Sequence, residues 1–172
     1  MLGGIINAIL RGTALLWTLL ITALIGNVMA SNVNAASSAT KAINWTMFVA
    51  AWSWVAALYG LAAAFFTALA IPIILLPLDI FAVLFTFIDA IVLAAKLKGV
   101  NCSNIAHEGH SWIGYGSHSN EKRCREIQAS TAFMWFLWVT FCGCLFFTIR
   151  GWRSGGGGGF RSSRPSMTQV GA

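Results

Sequence analysis

The sequence predicts an all-α integral membrane four-helix bundle with both termini on the same, cytoplasmic side and a disordered C-terminal tail. Three observations carry this reading. Apolar stretches at about residues 5–30, 44–70, 71–95 and 127–149 each reach the roughly 20 residues a helix needs to cross a hydrocarbon core about 30 Å thick. The 172-residue chain is 58% hydrophobic and only 9% charged, with mean hydropathy +0.74, whereas soluble domains carry about 25% charged residues. Inside lipid no water satisfies backbone polar groups, so spans of this length close their hydrogen bonds internally as helices. Residues 1–152 form the bundle and 153–172 the tail, which leaves no room for a soluble catalytic domain.

The first stretch begins at Ile5, carries Arg11, and ends in Val28-Met29-Ala30, a small-residue pattern that imitates a secretory cleavage site. Its apolar character starts upstream of Arg11 and its run exceeds signal-peptide length, so it is expected to stay as helix one. Ser31 to Ile43 reads as a short polar loop before helix two. Helices two and three are joined tightly through Thr67 to Pro72, with Pro72 suited to a first helical turn because its missing N–H is an orphan there anyway. Pro77 lies farther in and removes one helical hydrogen bond, so a bend is expected near it. The long loop, 96–126, holds three histidines and two of the four cysteines. After helix four comes a Gly/Ser/Arg tail containing Gly155 to Gly159, with too little apolar surface to offset the entropy of ordering it.

Four spans place both termini on one side, with Arg11, Arg150, Arg153, Arg161 and Arg164 there and Lys41, Lys96, Lys98, Lys122, Arg123 and Arg125 opposite. Five against six decides no orientation by the positive-inside rule. Cys102 and Cys124 bracket the long loop near two membrane ends. A disulfide between them belongs on the luminal or extracellular face; two free thiols in a cytosolic loop is the other reading.

Asp79 and Asp89, both in helix three, are the only acids inside any span. A mid-membrane carboxylate costs at least about 2.5–3.5 kcal/mol on insertion scales, so each should face the bundle. Their ten-residue separation puts them about 15 Å apart along the helix, too far to act as paired acid and base. Thr18, Tyr59 and Thr140 or Cys142 are expected at the level of Asp79, and Asn27, Ser53 and Thr131 at that of Asp89. With every basic residue placed outside the membrane interior, interhelical hydrogen-bond glue is favoured over an ion- or proton-coupled transport site at Asp79 and Asp89.

Other motifs carry less. Ala50, Ala51, Ala56, Ala57, Gly60 and Ala62 to Ala64 give helix two a face for close approach, within the chain or in a homo-oligomer. Trp45 and Trp152 suit an interfacial aromatic belt. Cys142 and Cys144 lie in apolar surroundings with CxC rather than CxxC spacing, which disfavours thiol oxidoreductase chemistry. His107, His110 and His118 fit no standard zinc spacing. Nothing supports nucleic-acid binding, a metal or a cofactor. In the tail, Ser162, Ser163 and Ser166 interleave with Arg161 and Arg164, so phosphorylation could lift an arginine-held tail off anionic lipid headgroups; a passive solvated tail is the other reading.

Leu58-Tyr59-Gly60, Leu69-Ala70-Ile71-Pro72 leading to Leu78-Asp79, Phe85-Thr86-Phe87, and Arg123-Cys124-Arg125 followed by Gln128-Ala129 and Ala132-Phe133 stand in this order along the chain. Together these stretches resemble the fungal MARVEL-domain proteins of the non-classical export protein 2 family. Their order and spacing match over nearly the whole chain, apart from the glycine-rich tail. The resemblance implies a non-enzymatic plasma-membrane protein that organises sterol- and sphingolipid-associated domains and the furrows called eisosomes. It also implies clustering with itself or other membrane-domain proteins and a link to export without a signal peptide.

Overall fold

The computed structural model describes residues 2–66, 69, 71–98, 101–103 and 112–154. Four helices follow in order: α1 (Leu2–Ala30), α2 (Ser37–Phe65), α3 (Pro72–Leu97) and α4 (Asn120–Ser154). All four are long and apolar enough to cross a membrane. Each packs on its neighbours in the cycle α1–α2–α3–α4–α1, and the diagonal pairs stand apart. The start of α1, the end of α2, the start of α3 and the end of α4 therefore share one end of the bundle, the termini end. The loops after α1 and α3 share the other.

Two helices begin earlier than the apolar pattern suggests. α2 starts at Ser37 rather than near 44, because Ala39, Ala42, Ile43 and Thr46 continue one buried face at helical spacing through the polar Ser-Ser-Ala-Thr-Lys run. It ends at Phe65, with Phe66 and Ile71 in extended conformation before Pro72, as the ring of a proline demands of the residue before it. α4 starts at Asn120 rather than near 127, so the loop expected over 96–126 is shorter. The Asn120 side chain accepts from the Gly116 and Ser117 amides, and Arg125 pairs with Glu121 one turn earlier at 2.6 Å. These local bonds carry a polar first turn that hydropathy alone reads as loop. α3 starts at Pro72 as expected and continues as helix through Pro77. The tail, including Ser162, Ser163 and Ser166, lies outside the described residues, as do His107 and His110.

Core positions along α3 are Asp79, Ala82, Thr86, Asp89, Ala90, Leu93 and Leu97, a stripe of three- and four-residue steps. The same core holds Ile21 and Ile25 of α1, Val49 and Ala56 of α2, and Met134, Leu137 and Phe141 of α4, all fully buried. The outward faces carry Leu16, Phe48, Val55, Ile73, Ile88, Phe136, Val139 and Phe146, each about half exposed or more, which is the surface lipid requires. Gaps between helices are filled by aromatic groups: Trp45, Trp52, Phe81 and Phe85 between α2 and α3, and Phe87 with Trp135 and Trp138 between α3 and α4.

A cap closes the loop end. Val33 and Asn34 donate backbone hydrogen bonds to the Gly116 carbonyl. Gly116 has φ +108°, and a Cβ there would meet the Ala35 backbone, so this corner needs glycine. α3 ends where Lys98 turns left-handed at φ 58°, and Trp112, 4% exposed, donates its indole N–H to the Leu97 carbonyl at 3.2 Å, satisfying one of the open carbonyls at that end.

Candidate functional site: a buried arginine–aspartate pair

The largest fully buried side chain in the bundle is charged. Arg11 sits nine residues into α1, and Asp79 seven residues into α3, so both lie about 10–14 Å along helices that start at the same end. α1 and α3 are diagonal, and only a long side chain crosses between them. Arg11 does so: its Nη1 donates to Asp79 Oδ1 and its Nη2 to Asp79 Oδ2, both at 2.6 Å, with both side chains 0% exposed. Such a two-pronged guanidinium–carboxylate pairing is the strongest geometry this pair can adopt. The Thr148 hydroxyl of α4 donates to Asp79 Oδ2 at 2.7 Å, and the Ala56 carbonyl of α2 accepts from Arg11 Nη1 at 3.3 Å. One cluster thus touches all four helices.

Gly60 makes the crossing sterically feasible. A Cβ at that position would collide with the Arg11 guanidinium, so the cation lies flat against the bare α2 backbone. Nearby, a vestibule of about 300 Å³ opens among the helix ends, with Asn7, Gly60, Leu75, Thr148 and Trp152 among its walls.

This geometry corrects the sequence expectation on two points. Arg11 is a core residue, not a flanking charge at the membrane face, so a basic residue does share the membrane interior. The partners of Asp79 are Arg11 and Thr148 rather than Thr18, Tyr59, Thr140 or Cys142. The Thr18 and Thr140 hydroxyls donate to carbonyls of their own helices, and the Tyr59 hydroxyl donates to the Leu69 carbonyl at the α2–α3 turn. The signal that could have found Arg11 is depth, because equal distances from two same-end helix starts place it level with Asp79.

Asp89 is also 0% exposed, but its setting differs. Its Oδ1 accepts from the Thr46 hydroxyl at 2.9 Å, and its Oδ2 is buried with no hydrogen-bond partner. The expected partners Asn27, Ser53 and Thr131 are engaged elsewhere: Asn27 donates to Glu126, Ser53 to the Val49 carbonyl and Thr131 to the Ile127 carbonyl. Between the two aspartates the core face of α3 holds Ala82 and Thr86, and Thr86 returns its hydroxyl to the Ala82 carbonyl. The two polar clusters are therefore separate.

Cys102 and Cys124 form a disulfide with Cα atoms 5.6 Å apart. It ties the segment after α3 to the first turns of α4, at the loop end. Cys142 and Cys144 are free and lie about 27–30 Å along α4 from Cys124, out of reach for thiol exchange with it. Among the described residues no group of three or more His, Cys, Asp or Glu could hold a metal, and His118 is exposed.

Comparison with known proteins fits this architecture. The family described as MARVEL, a membrane-associating domain, matches residues 4–147. The chain is 31% identical over 147 residues to non-classical export protein 2 of Saccharomyces cerevisiae, covering 84% of this chain and 83% of that protein. It is 37% identical over 109 residues to non-classical export protein 2 homolog 1 of the same yeast, covering 63% of this chain and 58% of that protein. No solved structure matches.

Proposed function

The chain belongs to the MARVEL membrane-associating family, and on that premise we propose that it is a plasma-membrane organiser. It gathers sterol- and sphingolipid-associated domains and eisosomes, and it is linked to protein export without a signal peptide. The yeast relatives carry export in their names. Both termini face the cytoplasm, and the end closed by the Cys102–Cys124 disulfide faces the oxidising exterior. Its partners are sterol, sphingolipid, anionic headgroups and other membrane-domain proteins including further copies of itself. It uses no cofactor, performs no catalysis and does not bind nucleic acid.

The observation that supports organisation over transport is that the buried polar side chains pair locally and, among the described residues, form no connected polar path, although Arg11 Nε and Asp89 Oδ2 keep no hydrogen-bond partner. Arg11 and Asp79 neutralise each other, and Asp89 is a separate site on Thr46. The buried hydroxyls of Thr18, Ser53, Thr86, Thr131 and Thr140 each donate to a carbonyl of their own helix, a common way to hide hydroxyls within helices. Transport pathways instead line a shared cavity with polar and ionisable groups. The chain's chemistry with its surroundings is thus carried by the apolar and aromatic outer faces.

Reconstitution into sterol-containing liposomes separates the readings. The organiser is expected to cluster a fluorescent sterol while proton and cation flux stays at the level of empty vesicles. Flux that requires Asp79 or Asp89, without clustering, overturns the proposal in favour of a small ion- or proton-coupled transporter.

A further inference from the structure

At the loop end a second arginine is buried. Arg123, three residues into α4, is 1% exposed. Its Nε donates to the Ile113 carbonyl at 3.2 Å, and its Nη1 lies 3.4 Å from both the Val28 carbonyl and Asn32 Oδ1. Its Nη2 is buried with no hydrogen-bond partner. Among the described residues no carboxylate lies within ion-pair distance of it. Glu126, three residues on, accepts from Asn27 and lies 3.8 Å from Lys122; its charge acts on Arg123 through space, without a hydrogen bond to it. A buried cation held by neutral oxygens, with one N–H left over, is an incomplete arrangement.

A cleft of about 70 Å³ adjoins it, walled by Arg123, Asn32, Asn44, Thr40, Met29 and Ile43, with Asn32, Asn44 and Met29 exposed at its mouth. No wall residue is acidic. Asn32 Oδ1 already accepts from the Ala35 amide and from Arg123, which leaves its NH2 group as a donor. Asn44 adds a second amide. Thr40 directs its hydroxyl to the Ala36 carbonyl and so contributes only bulk. Cation and amide donors both favour negative charge.

The geometry points to a binding site for a small monovalent anion of halide size, held by Arg123 Nη2 and the amides of Asn32 and Asn44. The cleft has room for about two water-sized particles, which admits chloride or bromide and excludes an organic acid such as gluconate. Seated there, the anion joins the end of α1, the N-terminal part of α2 and the start of α4. Water satisfies the free N–H equally well but brings no charge, and that difference is measurable.

The test is thermal unfolding of the full chain in nanodiscs at constant ionic strength, with sodium gluconate replaced stepwise by sodium chloride. The expected result is a saturable rise in Tm of about 3 °C, reproduced by bromide. The rise should be lost in Asn44→Leu, which fills the rim, and in Arg123→Gln. Coincident curves in chloride and gluconate mean that water alone occupies the cleft and overturn the proposal. A rise that persists in Asn44→Leu reduces the effect to general salt and overturns it as well. Should Arg123→Gln fail to fold, Asn44→Leu decides.

Discussion

At the termini end of the bundle, Arg11 and Asp79 are buried together, with two 2.6 Å bonds between them. Toward the loop end an arginine and an aspartate are buried apart: Arg123 among backbone carbonyls and an asparagine, Asp89 against one threonine hydroxyl. The first end holds its charges by matching them across the diagonal. The second spreads them over neutral partners and is closed by a covalent bond. The difference teaches that buried charge in a membrane bundle does not have one meaning. A matched pair becomes a bolt between helices, whereas an unmatched group leaves room for something else to complete it.

Breaking the matched end should have the largest effect. Asp79→Asn keeps size and most hydrogen bonding but strands the Arg11 cation, and removing one member of a buried pair costs about 3–5 kcal/mol. Unfolding in mixed micelles is expected to show a loss in that range. A loss below about 1 kcal/mol would mean that the pair carries little. This reverses the expectation from sequence, where Asp79 is hydrogen-bond glue and its amide would be a mild substitution.

At the other end, the disulfide encloses a separation of 22 residues, and opening a loop of that size costs about 3 kcal/mol in the chain-entropy account. Cys124→Ser should therefore lower stability by that order while leaving the Arg11–Asp79 end intact. Hydrogen exchange is expected to rise in the cap around Trp112 to Gly116 and not around Arg11. Equal loosening at both ends would show that they are not independent.

Asp89→Asn is the smallest expected change. The amide oxygen still accepts from Thr46, no ion pair is lost, and membrane hydrogen bonds average only about 0.6 kcal/mol. Stability should stay within about 1 kcal/mol of the native chain or rise. A loss matching that of Asp79→Asn would erase the distinction between the two aspartates.

Much of this was legible beforehand, for physical reasons. Span length and the demand for internal backbone bonding predict the four helices. Cys102 and Cys124, each near a membrane end, predict the staple, and rarity inside the spans singles out Asp79 and Asp89. The partners were not legible, because hydropathy grades Arg11 and Arg123 as boundary charges although both are buried at 0–1% exposure. Helix starts at Ser37 and Asn120 were hidden too, since a buried face of small residues at the first, and the Asn120 and Arg125–Glu121 bonds at the second, extend helices through polar residues without raising hydropathy. Gly60 read as one small residue among several, and only the arginine lying on it reveals its role.

The central claim is that Arg11 and Asp79 act as one unit bolting the diagonal of the bundle, and a double-mutant cycle tests it most directly. Arg11→Met, Asp79→Leu and the double variant would be unfolded in the same nanodiscs as the native chain. The account predicts that each single change loses about 3 kcal/mol or more while the double variant is more stable than either. Losses that simply add would contradict it.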